Sequence, residues 1–265
     1  IGGGTILEPN PPKRKRFKED VIEELKIKEH GDPADVVESY LLQNSSKYPE
    51  KKNIIKAAGN ISESLYEEII ERLKHKNLIE EFKLGDESYL LHIKYIRDVE
   101  SKLKEILEAY HKRNPLKFGI SKEELRTRLL EGAKPRLADC IFNYFEAADI
   151  IKIENQYVSR KDFTIQFNKV QNQIKDFILA KYKENMFNPP KLAEIVEKGK
   201  FDKNQAQNVY NALIDMHLLI KIDEDIAFSR EAYSEAVNKV REYITANGSI
   251  QLGQFRDMLG TSRKY

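Results

Sequence analysis

The residues of this chain best suited to chemistry stand together in Leu259-Gly260-Thr261-Ser262-Arg263-Lys264-Tyr265. Thr261 and Ser262 follow a glycine break and open a helical pattern, which leaves hydroxyls and the first helical amides available to a phosphate. Arg263 offers a planar bidentate or stacking contact, Lys264 a second cation, and Tyr265 a ring on which an unpaired base can stack. Arg256, in the short helical stretch just before, adds a phosphate contact. The same residues also read as a capped helix with a solvated basic face. A second candidate is Lys13-Arg14-Lys15-Arg16-Phe17-Lys18, five cations in six residues beside Pro11 and Pro12. It suits contact with RNA, a localisation signal or a linker held in solvent.

Catalytic chemistry finds no comparable cluster. Phosphate-cradling glycine loops, a nucleophile elbow and a paired-histidine metal motif are all missing. His30, His75, His92, His111 and His217 lie far apart, and His75 and His217 fall near the ends of helical stretches, so a structural role is expected. Cys140 is the single cysteine, which excludes an intrachain disulfide and a multi-cysteine zinc site and suits a reducing compartment. Its place in Leu137-Ala138-Asp139-Cys140-Ile141-Phe142 predicts an inward-facing, inert thiol.

Composition sets the wider bounds. The chain has 265 residues, of which 40% are hydrophobic and 33% charged, and mean hydropathy is -0.61. This is a charge-dense, helix-rich profile with no apolar run long enough for a membrane span. Lys and Arg number 45 against 43 acids, and the sum of +2 can hide local patches of either sign. With Ile1 in place of Met and a helical pattern that opens only at Arg263, the sequence reads as a piece of a longer protein.

The elements that position these residues follow from a self-comparison. Leu78-Ile79-Glu80-Glu81-Phe82, Ile150-Ile151-Lys152-Ile153 and Leu219-Ile220-Lys221-Ile222 recur about every 70 residues. A polar turn and a second strand-like run follow each, at Tyr89–His92, Tyr157–Arg160 and Ala227–Arg230, predicting small β-hairpins. Three helices precede each hairpin. They are expected at Pro33–Gln43, Glu50–Ala58 and Ser62–Lys76; at Tyr95–Lys112, Lys122–Leu130 and Lys134–Ala148; and at Ile165–Glu184, Pro190–Glu197 and Lys203–His217. Ser121 with Glu124 has capping-box spacing, and Pro189-Pro190 suits a helix start. A fourth unit begins with Arg230–Ala246 and Leu252–Leu259. Three helices and a two-stranded wing are the order of a winged-helix module, a helix-turn-helix variant.

The third helix of such a module normally enters a groove, so its charge tests for a polyanion partner. The first has Glu63, Glu67, Glu68 and Glu71 against Arg72, Lys74 and Lys76; the second, Lys134 and Arg136 against Asp139, Glu146 and Asp149; the third, Lys203 against Asp202 and Asp215. None of these favours a polyanion. Only the fourth opens with unopposed cations.

Ile1-Gly2-Gly3-Gly4-Thr5-Ile6-Leu7-Glu8-Pro9 resembles the end of the third, β-barrel domain of the bacterial selenocysteine-specific elongation factors. Leu259–Tyr265 is similar to the fourth-module recognition helix of that family, and Asn114-Pro115-Leu116 with Gly119–Arg126 resembles its second module. The resemblance implies a translation factor that recodes UGA as selenocysteine. Its amino-terminal domains, absent from this sequence, would hold GTP, Mg²⁺ and selenocysteyl-tRNA, while its last module grips a selenocysteine-insertion hairpin in the mRNA at the ribosome. A cytoplasmic monomer without membrane contact is implied, with no enzyme activity or cofactor in this part.

The reading is therefore a mainly α chain of tandem winged-helix modules preceded by the last strand of a β-barrel. Residues 1–17 are barrel tail and linker, and modules span 18–93, 94–163, 164–229 and 230–265, the last incomplete. The first three serve as a spacer. Arg256, Thr261, Ser262, Arg263, Lys264 and Tyr265 carry the RNA contact. Two alternatives use the same modules: a DNA-binding transcriptional regulator, which calls for basic, amide-rich third helices, and a protein-interaction scaffold, which suits acidic ones.

Overall fold

The computed structural model describes residues 18–19, 21–22, 31–224 and 226–261. The expected barrel strand and most of the basic linker lie outside the described residues, as do Ser262, Arg263, Lys264 and Tyr265.

Among the described residues a helix–helix–helix–hairpin order occurs three times and begins a fourth. The first set is α1 (Pro33–Asn44), α2 (Lys51–Ala57), α3 (Glu63–His75), β1 (Ile79–Leu84) and β2 (Glu87–His92). The second is α4 (Ile93–Arg113), β3 (Ile120–Ser121), α5 (Lys122–Leu129), α6 (Pro135–Ala147), β4 (Ile151–Glu154) and β5 (Tyr157–Arg160). The third is α7 (Lys169–Glu184), α8 (Leu192–Gly199), α9 (Lys203–Asp215), β6 (Leu219–Asp223) and β7 (Ile226–Ser229), followed by α10 (Arg230–Asn247) and α11 (Leu252–Leu259). The fold is mainly α, and its small antiparallel sheets are the wings of tandem winged-helix modules.

Helix starts follow side-chain caps. Asp32 Oδ1 accepts from the Ala34 amide at 3.1 Å with Pro33 in the first turn, and Ser62 Oγ accepts from Leu65 at 3.3 Å. Ser121 caps α5 through the Glu124 amide at 3.2 Å, but only half of the expected capping box forms, because the Glu124 carboxylate pairs with Arg128. α7 starts at Lys169 rather than Ile165, since Asn168 and Gln171 form the reciprocal box there. α8 starts at Leu192 rather than Pro190, with extended Lys191 as its cap residue.

The third helices all end alike. Asn77, Asp149 and His217 take left-handed φ of 53°, 63° and 56°. The next amide reaches back one turn, Leu78 to the Leu73 carbonyl (3.0 Å), Ile150 to Phe145 (3.0 Å) and Leu218 to Leu213 (2.9 Å), as in a Schellman motif. The carbonyls of Leu78, Ile150 and Leu218 then accept from Ile93, Lys161 and Arg230 where each hairpin closes. These bonds make Leu218, not Leu219, the counterpart of Leu78 and Ile150. They also separate His75, the last helical residue of α3, from His217, which occupies the left-handed position. A run of three apolar residues at 218–220 hides this register in the sequence, where only backbone bonds distinguish one from the next.

The second wing has three strands, β3-β5-β4, rather than two. Ile120 and Ser121 pair with Val158 and Tyr157, a strand that the three-helix expectation for this module does not include. Cores are apolar and module-sized. Val37, Leu41, Ile54, Ile70, Leu73 and Leu90 meet in the first; Ile174, Ile178, Ile195, Val209, Leu213 and Leu219 in the third. The described residues fall into two compact units, one formed by residues up to 108 with 120–161, the other by 109–119 with residues from 162 onward.

Candidate nucleic-acid interface

A helix can serve as a reader only if its outer face is open and its cations are unspent. α3 fails on charge. Arg72 Nη1 lies 2.6 Å from Asp32 Oδ2, and Lys74 Nζ lies 2.7 Å from Glu81 Oε2 and 3.0 Å from Glu71 Oε1. The Ala34 amide and then Arg72 hold the Asp32 carboxyl below the usual carboxylate range. Partial burial opposes the charge on Lys74, but its bonds to Glu81 and Glu71 win and hold its pKa up. Glu67 and Glu68 are also exposed on α3, adding negative charge to its surface.

α6 is blocked along one flank, because the preceding wing lies against it, and its exposed remainder sets Arg136 against Asp139 and Glu146. Phe82 of β1 meets Tyr144 edge-on, with ring centroids 5.6 Å apart. Cys140 Sγ sits 3.9 Å from the Lys83 carbonyl, half-buried at this seam rather than in the module core as its spacing predicts. Lys134 Nζ is 2.8 Å from Glu87 Oε2 and 5.6 Å from the centre of the Tyr89 ring. Glu87, then Tyr89, raises the lysine pKa well above its ordinary value.

α9 presents the opposite case. Asp202 caps it through the Gln205 amide at 2.8 Å, and Asn204, Gln205, Gln207, Asn208 and Asn211 are all exposed.

At the tip, the described residues place two of the six expected RNA contacts. Arg256 is half-buried on α11; its Nε is buried without a hydrogen-bond partner among the described residues, and its carbonyl accepts from the Thr261 amide at 3.1 Å. Thr261 differs from expectation. Its hydroxyl donates to the Phe187 carbonyl at 2.8 Å, so its proton is committed within the fold. Asn188 Nδ2 donates to the Gly260 carbonyl at 3.1 Å, fastening the same turn to the α7–α8 connection. Beside it, α10, α11 and the third wing enclose an open apolar cavity of about 570 Å³, lined by Phe187, Phe228, Val237, Val240, Phe255 and Thr261 among others. No group of side chains suited to a metal ion occurs among the described residues, and no described helix is long and apolar enough to cross a membrane.

Sequence reasoning passes over Lys198 and Lys200, which flank Gly199 at the turn into α9. The Lys-Gly-Lys spelling beside a helix cap is the available signal.

Tandem winged-helix modules of this kind, with wings that pack into their neighbours, define the class. Residues 104–159 and 242–265 each match a family model described as elongation factor SelB, winged helix. Those two stretches of the chain are thus similar to winged-helix modules of that elongation factor. A curated relative, the selenocysteine-specific elongation factor of Desulfomicrobium baculatum, is 21% identical over 161 residues, which is 61% of this chain and 25% of the relative. A solved structure of a bacterial selenocysteine-specific elongation factor, EF-Sec, aligns at 16% identity and a TM-score of 0.49, covering 96% of this chain and 37% of that one.

Proposed function

We propose that the chain forms the RNA-gripping arm of a selenocysteine-specific elongation factor, holding a selenocysteine-insertion mRNA hairpin while the rest of the factor delivers selenocysteyl-tRNA at a UGA codon on the ribosome. The observation that carries this reading is the contrast between third helices. α3 is neutralised by its own ion pairs, and α6 is covered on one flank by the preceding wing and carries acids on the rest. The turn at Gly260-Thr261 instead leads into Ser262-Arg263-Lys264-Tyr265, which contains no acid. A phosphate contact needs an unopposed cation, and this stretch supplies two.

The modules before the tip then act as a spacer that tethers the hairpin-bound end to the rest of the factor, raising its effective concentration there. GTP and Mg²⁺ would belong to a domain other than the winged-helix modules, and the setting would be the cytoplasm.

The test is binding of an mRNA hairpin against duplex DNA at two salt concentrations, using a chain extended through the fourth wing. Preference for the hairpin with a salt-dependent affinity is expected. Arg263→Ala should weaken it by about 1–3 kcal/mol, the scale of one good charged contact. Preference for duplex DNA, or affinity unmoved by salt, would overturn the reading.

A further inference from the structure

The third module keeps a surface that the tip does not account for. Asn204, Asn208 and Asn211 lie one to two turns apart on a single face of α9, with Gln205 and Gln207 beside them, all exposed. The Gln207 amide donates to Asn211 Oδ1 at 3.0 Å, so these side chains already form an ordered strip of donors and acceptors. At its amino-terminal end stand Lys198, Lys200 and Lys203, exposed and with no ion pair among the described residues. The nearby Asp202 carboxylate is occupied in capping α9, while Glu197 stays on α8. Lysines at the turn and amides along the following helix are the arrangement by which a helix-turn-helix holds a backbone and reads base edges.

We propose that α9 is a second RNA-contact surface, its lysine turn holding the sugar-phosphate backbone and its amide strip reading unpaired bases. The inference rests on the RNA-arm reading above. Unpaired bases are chosen because the A-form major groove is too narrow for a helix, whereas splayed bases offer their Watson–Crick edges to groups that both donate and accept. A protein partner is the weaker fit. The exposed face holds no aromatic or large aliphatic side chain to act as an anchor.

The probes are a pool of RNA hairpins with a randomised loop, a fully paired RNA of the same stem, and the corresponding DNA duplex. Combining Asn204→Ala, Asn208→Ala and Asn211→Ala should lower affinity for the looped pool about tenfold and leave the paired RNA unchanged, one good amide–base contact being worth that much. Alanine is favourable on an exposed helix, so a thermal melt of the variant should match the parent or exceed it. Lys198→Gln, Lys200→Gln and Lys203→Gln together should flatten the dependence of log affinity on log salt by about 0.7 for each phosphate that a lysine no longer neutralises. Unchanged binding in both variants, or a loss confined to duplex DNA, overturns the proposal. Arg263→Ala run in parallel separates the two sites. If only Arg263→Ala weakens the hairpin, α9 is not a contact; if only the α9 variants do, the tip reading fails and this one stands.

Discussion

The two compact units solve the same structural problem with opposite consequences for their third helices. In the first unit, a wing hairpin lies on the third helix of the module that follows, so β1 and α6 share Phe82, Tyr144 and the Lys83 carbonyl. In the second, the wing of the third module meets the first helix of the next, with Ile222 and Phe228 facing α10 across an apolar cavity. The first joint covers one flank of a third helix; the second meets a first helix, and α9 stays exposed along its amide strip. A winged-helix fold alone therefore does not make a module a reader, because whether the helix is covered is settled by the joint with its neighbour.

The severest way to break this contrast is to remove the ring that closes α6. Phe82 is only 5% exposed, and Phe82→Ala should cost about 3 kcal/mol through forfeited packing and the cavity left behind. Urea unfolding followed separately for each unit should show the loss in the first alone. An equal loss in both would mean that the seam does not belong to the first unit in the way described.

Gly199→Ala strikes the second unit at the turn that aims α9. A Cβ at Gly199 would run into the Phe201 ring, which packs edge-on against Phe177 with centroids 5.3 Å apart. Displacing that ring should cost about 1–3 kcal/mol, as overpacking does, and should disturb the lysine turn with it. A variant that melts like the parent would show that Phe201 moves freely and that the turn is less fixed than its packing suggests.

Much of this organisation was legible in the sequence. Helical spacing and the cap at Ser121 marked the helices, because those signals act within one turn of chain. The repeat was legible too, though the apolar run Leu218-Leu219-Ile220 hid its register, which only the left-handed His217 and the bonds after it fix. What escaped was non-local. β3 is two residues long and exists because β5 pairs with it. The cover over α6 depends on a wing some 60 residues earlier in the chain. Thr261 looked available, yet its hydroxyl meets Phe187, 74 positions away. At the tip, residue types gave a cation at Arg256 and a hydroxyl at Thr261, while the hydroxyl's partner came only with the fold.

The finest test separates stability from recognition at a single residue. Lys200 ends α8 in the left-handed region, with φ 50° and ψ 39°. An L-residue there pays about 1–2 kcal/mol relative to its helical conformation, and glycine avoids this while giving back part of the gain through a freer unfolded chain. Lys200→Gly should therefore stabilise the second unit by about 0.5–1 kcal/mol in a thermal or urea melt. The same change removes one cation from the turn into α9, so affinity for looped RNA should fall and its salt dependence should flatten by about 0.7. The two readouts are expected to move in opposite directions. A fall in stability would reveal a native role for the lysine side chain within the fold; a rise in stability with unaltered binding would take Lys200 out of the RNA contact and leave Lys198 and Lys203 to hold it.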